Sequence, residues 1–422
     1  MRILHVVHQY PPDKVGGTEL YTQSLARHMT ARGHSVAVFC PSRQPADPTR
    51  SLVSTDEDGA RIHRVLLGPR SAQAMFFDTF TQRTISTAFA AVLQQERPDL
   101  IHVQHLMGLP AGLIDQIVKA GIPFVVTLHD YWYVCANAQL LTNTRHEVCT
   151  GPRWWVNCGQ CALARVDHAN WLWLASLLAP LMGYRGQRLR QALKQAARLI
   201  APTEFVRETY QRLGMPIDQI RVVPHGIEVP MTFPEAKQHE PDVLRVAYIG
   251  GLSWQKGVHV LIEAVNELPA EAIHLSIYGD TTAFPDYAAA LKQLAHHPHI
   301  DFAGRLPRAE LWTTLRSMDV VVVPSLWYEA SPLIIQEAFA AGVPVIASNL
   351  GALREQVHDE VDGLLFAAGD AASLRDLLLR CSGEPSWLLQ LRAGIGPVRT
   401  VQEHIVDLEA LYAETIASAR RG

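Results

Sequence analysis

Short apolar runs recur along the chain, each closed by Pro, Gly or a polar loop and followed by a stretch with helical spacing. Residues 3–7 predict a strand, a loop ends in Gly16-Gly17, residues 19–32 predict a helix closed by Gly33, and residues 35–40 predict a second strand. That is a β-α-β unit. Further runs at 100–103 and 124–128, bounded by Pro or Gly, have the form of buried parallel strands. Residues 187–200 read as a basic helix running into one more strand at Leu199-Ile-Ala-Pro202.

After Val223-Pro-His-Gly226 the periodicity dissolves into Pro, Glu, Lys and His, which predicts an interdomain linker over 226–242. A second alternation follows, with strands expected at 244–249, 274–278, 320–323 and 343–347 separated by helical windows. The organisation expected is thus α/β, with two Rossmann-like doubly wound domains at 1–225 and 243–397. A terminal helix over 398–422, with Val401, Ile405, Leu408 and Leu411 on one face, is expected to pack back toward the first domain.

The length of 422 residues suits two domains, and 48% hydrophobic against 18% charged residues leaves ample material for their cores. A formal net charge of −4 argues against nucleic acid as a partner. The apolar opening is too short for a secretory signal core, so a cytoplasmic location is expected. The longest apolar stretch, 171–184, is interrupted by Pro180 and falls short of the ~20 residues that span a bilayer.

The most specific chemistry lies in Pro324-Ser-Leu-Trp-Tyr-Glu329-Ala-Ser331-Pro332-Leu-Ile-Ile-Gln-Glu337, followed by Gly342-Val-Pro344. A helix is expected there with Ser331 as its N-cap and Pro332 in its first position. The N–H groups of Leu333 and Ile334 then form an anion site suited to a diphosphate. Glu337, one turn further on the same face, can accept ribose hydroxyls. Gly16 and Gly17, ahead of a helix, let backbone approach a phosphate. Lys256 stands in a loop after a strand, where doubly wound sheets bind ligands, and His129 ends the strand at 124–128, followed by Asp130. Neither Gly-x-Gly-x-x-Gly nor Gly-x4-Gly-Lys-Ser/Thr occurs, which removes the usual grounds for a dinucleotide dehydrogenase or P-loop NTPase.

With Gly16-Gly17, Thr127-Leu-His-Asp130, Ile249-Gly-Gly-Leu-Ser-Trp-Gln-Lys256-Gly257, Asp301-Phe-Ala-Gly304, Glu329-x7-Glu337 and Gly342-Val-Pro-Val-Ile in this order, the sequence resembles family 4 of retaining glycosyltransferases, of GT-B architecture. The resemblance implies two domains facing across a cleft and a nucleoside-diphosphate sugar as donor. It implies that Glu337 binds the donor ribose, that Glu329 lies by the transferred sugar, that Lys256 contacts the diphosphate, and that His129 touches the sugar near its reacting carbon. Gly251 stands where the family usually has Arg, and Arg305 is the candidate substitute. A glycan, lipid-linked or small-molecule acceptor is implied, with no covalent enzyme nucleophile and no catalytic metal. A sugar-nucleotide epimerase, a phosphorylase of the same architecture and a non-catalytic sugar-nucleotide-binding protein are the alternative readings.

Two further features stand apart. Trp154-Trp155 and Trp171-Leu-Trp173-Leu, with Arg185, Arg188 and Arg190, suit peripheral contact with the inner membrane face. Four of the six cysteines, Cys135, Cys149, Cys158 and Cys161, cluster in one segment and include a Cys-x2-Cys pair, the spacing of a structural zinc site; buried free thiols, an iron–sulfur cluster or a redox pair compete with that reading.

Overall fold

The computed structural model describes all residues except 14–15, 43, 45–50, 166–168, 234–242 and 422, so most of the expected linker lies outside the described residues. The chain divides into two compact units, Met1–Pro224 with Gln402–Gly422, and His225–Val401.

The first unit holds eight strands: β1 Arg2–Val6, β2 Ser35–Ser42, β3 Leu52–Glu57, β4 Ala60–Leu66, β5 Leu100–Val103, β6 Phe124–Thr127, β7 Arg198–Ala201 and β8 Ile220–Val222. Their order is β3-β4-β2-β1-β5-β6-β7-β8, and every pairing is parallel except that of β3 with β4. β5 and β6 are buried along their whole length, as expected of parallel strands covered on both faces. The second unit holds β9 Leu244–Ile249, β10 Ile273–Tyr278, β11 Ile300–Gly304, β12 Val320–Val323, β13 Val345–Ser348 and β14 Gly363–Phe366, in the order β11-β10-β9-β12-β13-β14. Alternate residues of β9 feed two cores: Val246 and Tyr248 pack on one face of the sheet and Ala247 on the other. The two parallel-sheet α/β units anticipated from the alternating pattern are therefore present.

Several boundaries differ from the sequence reading. The first helix starts at Gly17 with Gly16 as its N-cap. The basic helix starts well before residue 187: it spans Ala175–Lys194 and passes through Pro180, whose missing N–H falls in its second turn and costs one hydrogen bond. The terminal helix, Val401–Ala419, belongs to the first unit. It buries Ile405, Leu408 and Tyr412, and His404 bonds the Tyr21 hydroxyl at 2.7 Å. Glu409 accepts from Arg32 and His34, both at 2.7 Å.

Candidate functional site

The second sheet reverses its strand order between β9 and β12, and the loops that leave the carboxyl ends of those strands touch each other. Leu326 N–H donates to the Gln255 carbonyl at 2.8 Å. Gly257 takes φ of +69°, and a Cβ there would run into the Pro324 carbonyl, so this approach of the two loops requires glycine.

Lys256 Nζ donates to Glu329 Oε1 at 2.6 Å, and the same oxygen accepts from Ser325 Oγ at 2.7 Å and from Trp327 Nε1 at 2.8 Å. The Lys256 ammonium also stands over the Trp327 ring, 5.5 Å from its centroid. Glu329 is buried and Lys256 is half-buried, so the carboxylate acts as a fixed seat that aims the ammonium. Within the unit the pair is formally neutral, and an anion binding there competes with Glu329 for the Lys256 ammonium or shares it.

The adjoining helix is Leu333–Ala340. Its N-cap is Pro332, with no side-chain cap bond, and Ser331 instead accepts from Gln356 Nε2 at 3.0 Å. This corrects the expected cap: Pro332 takes the extended conformation at ψ 112, which moves the helix start one residue on and carries Ser331 out of reach of the first N–H groups. Leu333 and Ile334 thus occupy the first two helical positions. Glu337 is buried and its Oε1 accepts from Arg308 Nη1. Arg305, the residue singled out from the sequence, is exposed and lies 3.9 Å from Asp280. The cation brought to Glu337 is therefore Arg308, which the sequence reading missed; the second arginine of Arg305-x2-Arg308 was the available signal. Gly251 faces open space, with no atom within 4 Å of where a Cβ would stand.

In the first unit the corresponding reversal lies beside β1 and β5, and a group of histidines surrounds it: buried His5 and His102 within the strands, buried His8 and His105 just after them, and half-buried His129 after β6. His129 Nε2 lies 2.8 Å from Gln104 Oε1, and Gln104 Nε2 lies 3.1 Å from His5 Nδ1. The Gln104 amide thus bridges two rings, and His129 Nε2 is the nitrogen that carries the proton. Burial, reinforced by the neighbouring histidines His105, His102, His8 and His404, holds the His129 ring well below its ordinary value, so it is neutral at pH 7. Asp130 is held by His105 Nε2 at 3.1 Å and by the Trp132 N–H at 2.8 Å. Replacing Gln104 by Glu sets a carboxylate against His129. The expected result is an alkaline shift of the ring titration by at least one unit, read by NMR of the labelled imidazole; an unmoved titration rules out the bridge.

Gly16 and Gly17 lie at the start of the helix Gly17–Ala31. A Cβ on Gly16 would stand 2.6 Å from Glu19 Oε2, and Glu19 Oε1 is 3.4 Å from His8 Nε2. A carboxylate of the chain itself is therefore already beside this helix end, where a phosphate was expected from the glycine pair alone.

The four cysteines Cys135, Cys149, Cys158 and Cys161 are free thiols, each partly exposed. Of the aromatic and basic residues, Trp154, Trp171, Trp173 and Leu177 are exposed. Trp155 is not: its indole lies against Gly183 and Gly186 of the helix Ala175–Lys194, where any larger residue at 186 would collide with the ring. Arg185 points into the interior and Arg188 pairs with Asp115. Among the described residues no helix is long and apolar enough to cross a membrane.

The family described as Glycosyltransferase Family 4 matches residues 15–229, and that described as Glycosyl transferases group 1 matches 244–383. Glycogen synthase of Mycobacterium tuberculosis is 28% identical over 396 residues, covering 89% of this chain and 84% of the relative. The D-inositol 3-phosphate glycosyltransferase of Xylanimonas cellulosilytica is 26% identical over 427 residues, covering 92% and 89%. Among solved structures, sucrose-phosphate synthase from Thermosynechococcus elongatus superposes with a TM-score of 0.76 at 19% identity, covering 99% of both chains. Anabaena HepE, in complex with UDP and glucose, gives 0.65 at 18% identity, covering 99% of this chain and 100% of that one.

Proposed function

Because the chain belongs to glycosyltransferase family 4, with the GT-B fold, we propose that it transfers a sugar from a nucleoside-diphosphate donor to an acceptor hydroxyl with retention of anomeric configuration, in the synthesis of a glycan or glycolipid. The observation that carries this reading is the Lys256–Glu329 contact at the strand-order reversal of the second sheet, on the loop that leads into the helix bearing Glu337. Such an edge suits a donor diphosphate beside Lys256 and the N–H groups of Leu333 and Ile334, with the ribose hydroxyls on Glu337. Arg308 adds a cation that the motif lacks at Gly251. The UDP bound by the Anabaena relative supports a nucleotide in this class of fold.

In the proposed reaction the acceptor oxygen bonds to the anomeric carbon on the face from which the diphosphate leaves. The bond from that carbon to the phosphate oxygen breaks, and the acceptor proton passes to the departing phosphate. The protein supplies position and charge: Lys256 stabilises the leaving group, and Glu329 fixes Lys256. The test is a thermal-shift screen of UDP-, GDP- and ADP-sugars followed by assay of nucleoside-diphosphate release. Acceptor-dependent release is expected. A donor sugar altered without transfer would instead mark an epimerase, and binding without turnover for any acceptor a sensor.

We also propose peripheral contact with the inner membrane face through Trp154, Trp171, Trp173 and Leu177. With Arg185 inside and Arg188 paired, the contact is apolar rather than ionic. Co-sedimentation with vesicles is expected to survive raised salt and to fall several-fold in Trp154→Ser/Trp173→Ser. Salt-abolished binding would point to the basic residues instead.

A further inference from the structure

The segment between β6 and the helix Ala175–Lys194 gathers cysteines from four places in the sequence. Cys135 sits in a turn where Ala138 and Leu140 take left-handed φ of 63° and 49°, and the backbone N–H groups of Leu140, Asn137 and Gln139 point at its sulfur. Cys149 is brought alongside: its N–H donates to the Leu140 carbonyl at 2.6 Å, and its sulfur accepts the Gly151 N–H at 3.4 Å. Cys158 and Cys161 lie one turn apart on the helix Val156–Arg165. The Asn143 N–H points at the Cys161 sulfur, and Asn143 Nδ2 donates to the Cys161 carbonyl at 2.9 Å. The sulfurs of Cys135, Cys149 and Cys161 are all within electrostatic reach of Cys158.

Two features bear on the charge of these sulfurs. Burial pushes the Cys135, Cys158 and Cys161 thiols up, so they keep their protons until a cation draws these off, while the Gly151 N–H on Cys149 at 3.4 Å and the backbone N–H groups beside Cys135 and Cys161 partly oppose that burial. Beside them lies Arg185, 3% exposed, stacked over Trp132 at 4.7 Å and donating to the Trp132 carbonyl at 3.0 Å. Among the described residues this guanidinium makes no ion pair with a carboxylate; burial pushes it down to about 10, against the charges of Cys135, Cys158 and the more distant Asp130. A buried cation without a compensating anion is costly. Four thiolates without a cation would repel one another as strongly.

We propose that Cys135, Cys149, Cys158 and Cys161 bind one structural zinc ion, and that Arg185 offsets part of the charge of the resulting centre. As the four thiols bind one Zn²⁺ they release four protons to water, leaving a dianionic tetrathiolate centre of which the buried guanidinium offsets half the charge. Among the described residues no three potential ligands already converge on a common ion position, so binding requires the sulfurs to turn inward from their free-thiol positions. The ion then ties the turn at Cys135, five residues beyond Asp130, to the helix that carries Cys158 and Cys161. It cross-links a segment with little regular structure of its own and takes no part in sugar transfer.

The test uses the full chain purified without a polyhistidine tag. Elemental analysis is expected to give about one zinc per chain, and replacement by cobalt(II) to give intense thiolate-to-metal absorption with the visible bands of a tetrahedral site. Cys158→Ser/Cys161→Ser is expected to lose the zinc, whereas Cys40→Ser/Cys381→Ser, at the two buried cysteines outside the cluster, is expected to keep it. If the first variant does not fold, the cobalt spectrum of the unaltered chain decides. Chain without zinc and without thiolate–cobalt absorption, iron with inorganic sulfide in place of zinc, or a disulfide among the four overturns the proposal. None of these readouts depends on a donor or acceptor.

Discussion

Glu337→Ala is expected to weaken donor binding at least tenfold in calorimetry with the cognate nucleoside diphosphate, and Arg308→Ala to weaken it less. The carboxylate provides a charge-assisted acceptor worth about 1.5–3 kcal/mol, or roughly 10- to 150-fold. Because Oε1 already accepts from Arg308, the ribose hydroxyls share a carboxylate that the arginine holds in place. The double variant is then expected to lose less than the sum of the two single ones, since removing either partner disorders the other. Unchanged affinity in Glu337→Ala would dismiss the ribose role, and strict additivity would dismiss the coupling.

Acid is expected to destabilise the protein well before its carboxylates titrate. Burial pushes His5 down to about 4, and His129 is held well below its ordinary value. An imidazole depressed on folding binds a proton more readily in the unfolded chain, so stability falls as pH drops through the unfolded value near 6.5 and keeps falling until the folded value is reached. Between pH 7.5 and 5 the His5 ring costs about 2 kcal/mol, a large share of a typical stability, and His129 acts in the same direction. The depressed carboxylates Glu57, Asp99 and Glu409 act in the same direction, but their stabilisation is lost only as pH falls below their unfolded values near 4. A clear fall in urea midpoint between pH 7.5 and 5, reduced in His5→Asn, is the expected result. A flat profile in that interval would show that these rings accept protons without unfolding cost.

The fold was legible where the chain writes it in dense apolar runs. β5 and β12 occupy the residues the pattern marks, because both are buried on each face and bounded by breakers. The β3–β4 hairpin was not, since β3 reads Leu-Val-Ser-Thr-Asp-Glu and pairs at a sheet edge with exposed side chains. β8, at three residues, is too short to declare a period, and β14, Gly-Leu-Leu-Phe, holds no β-branched residue to set it apart from a helical run. In the candidate site the sequence pointed to Lys256, Glu329 and Glu337 as residue types at strand and helix ends. That Glu329 holds Lys256 depends on a contact across 73 positions, which spacing cannot express. Arg308 and Arg305 look alike as letters, and the turn of the backbone between them decides which reaches Glu337. Ser331 was misplaced as a cap because a proline in the first turn and a proline at the cap leave the same trace in sequence.

The second unit is an insertion within the first, and its two ends are fastened to each other: Ile227 pairs with Thr400, its N–H donating to the Arg399 carbonyl at 3.0 Å and its carbonyl accepting the Val401 N–H at 2.8 Å. This has a consequence for the order of assembly on the ribosome. Residues 225–401 can close on themselves as soon as they emerge, whereas the first unit, although most of it is translated earlier, lacks the partners of Tyr21, Arg32 and His102 until residues 404–412 are free. His102 meets the Tyr412 hydroxyl at 2.5 Å only then. The unit that starts earlier is completed later, and a nascent chain stalled before residue 404 would carry a finished second unit and an open first one.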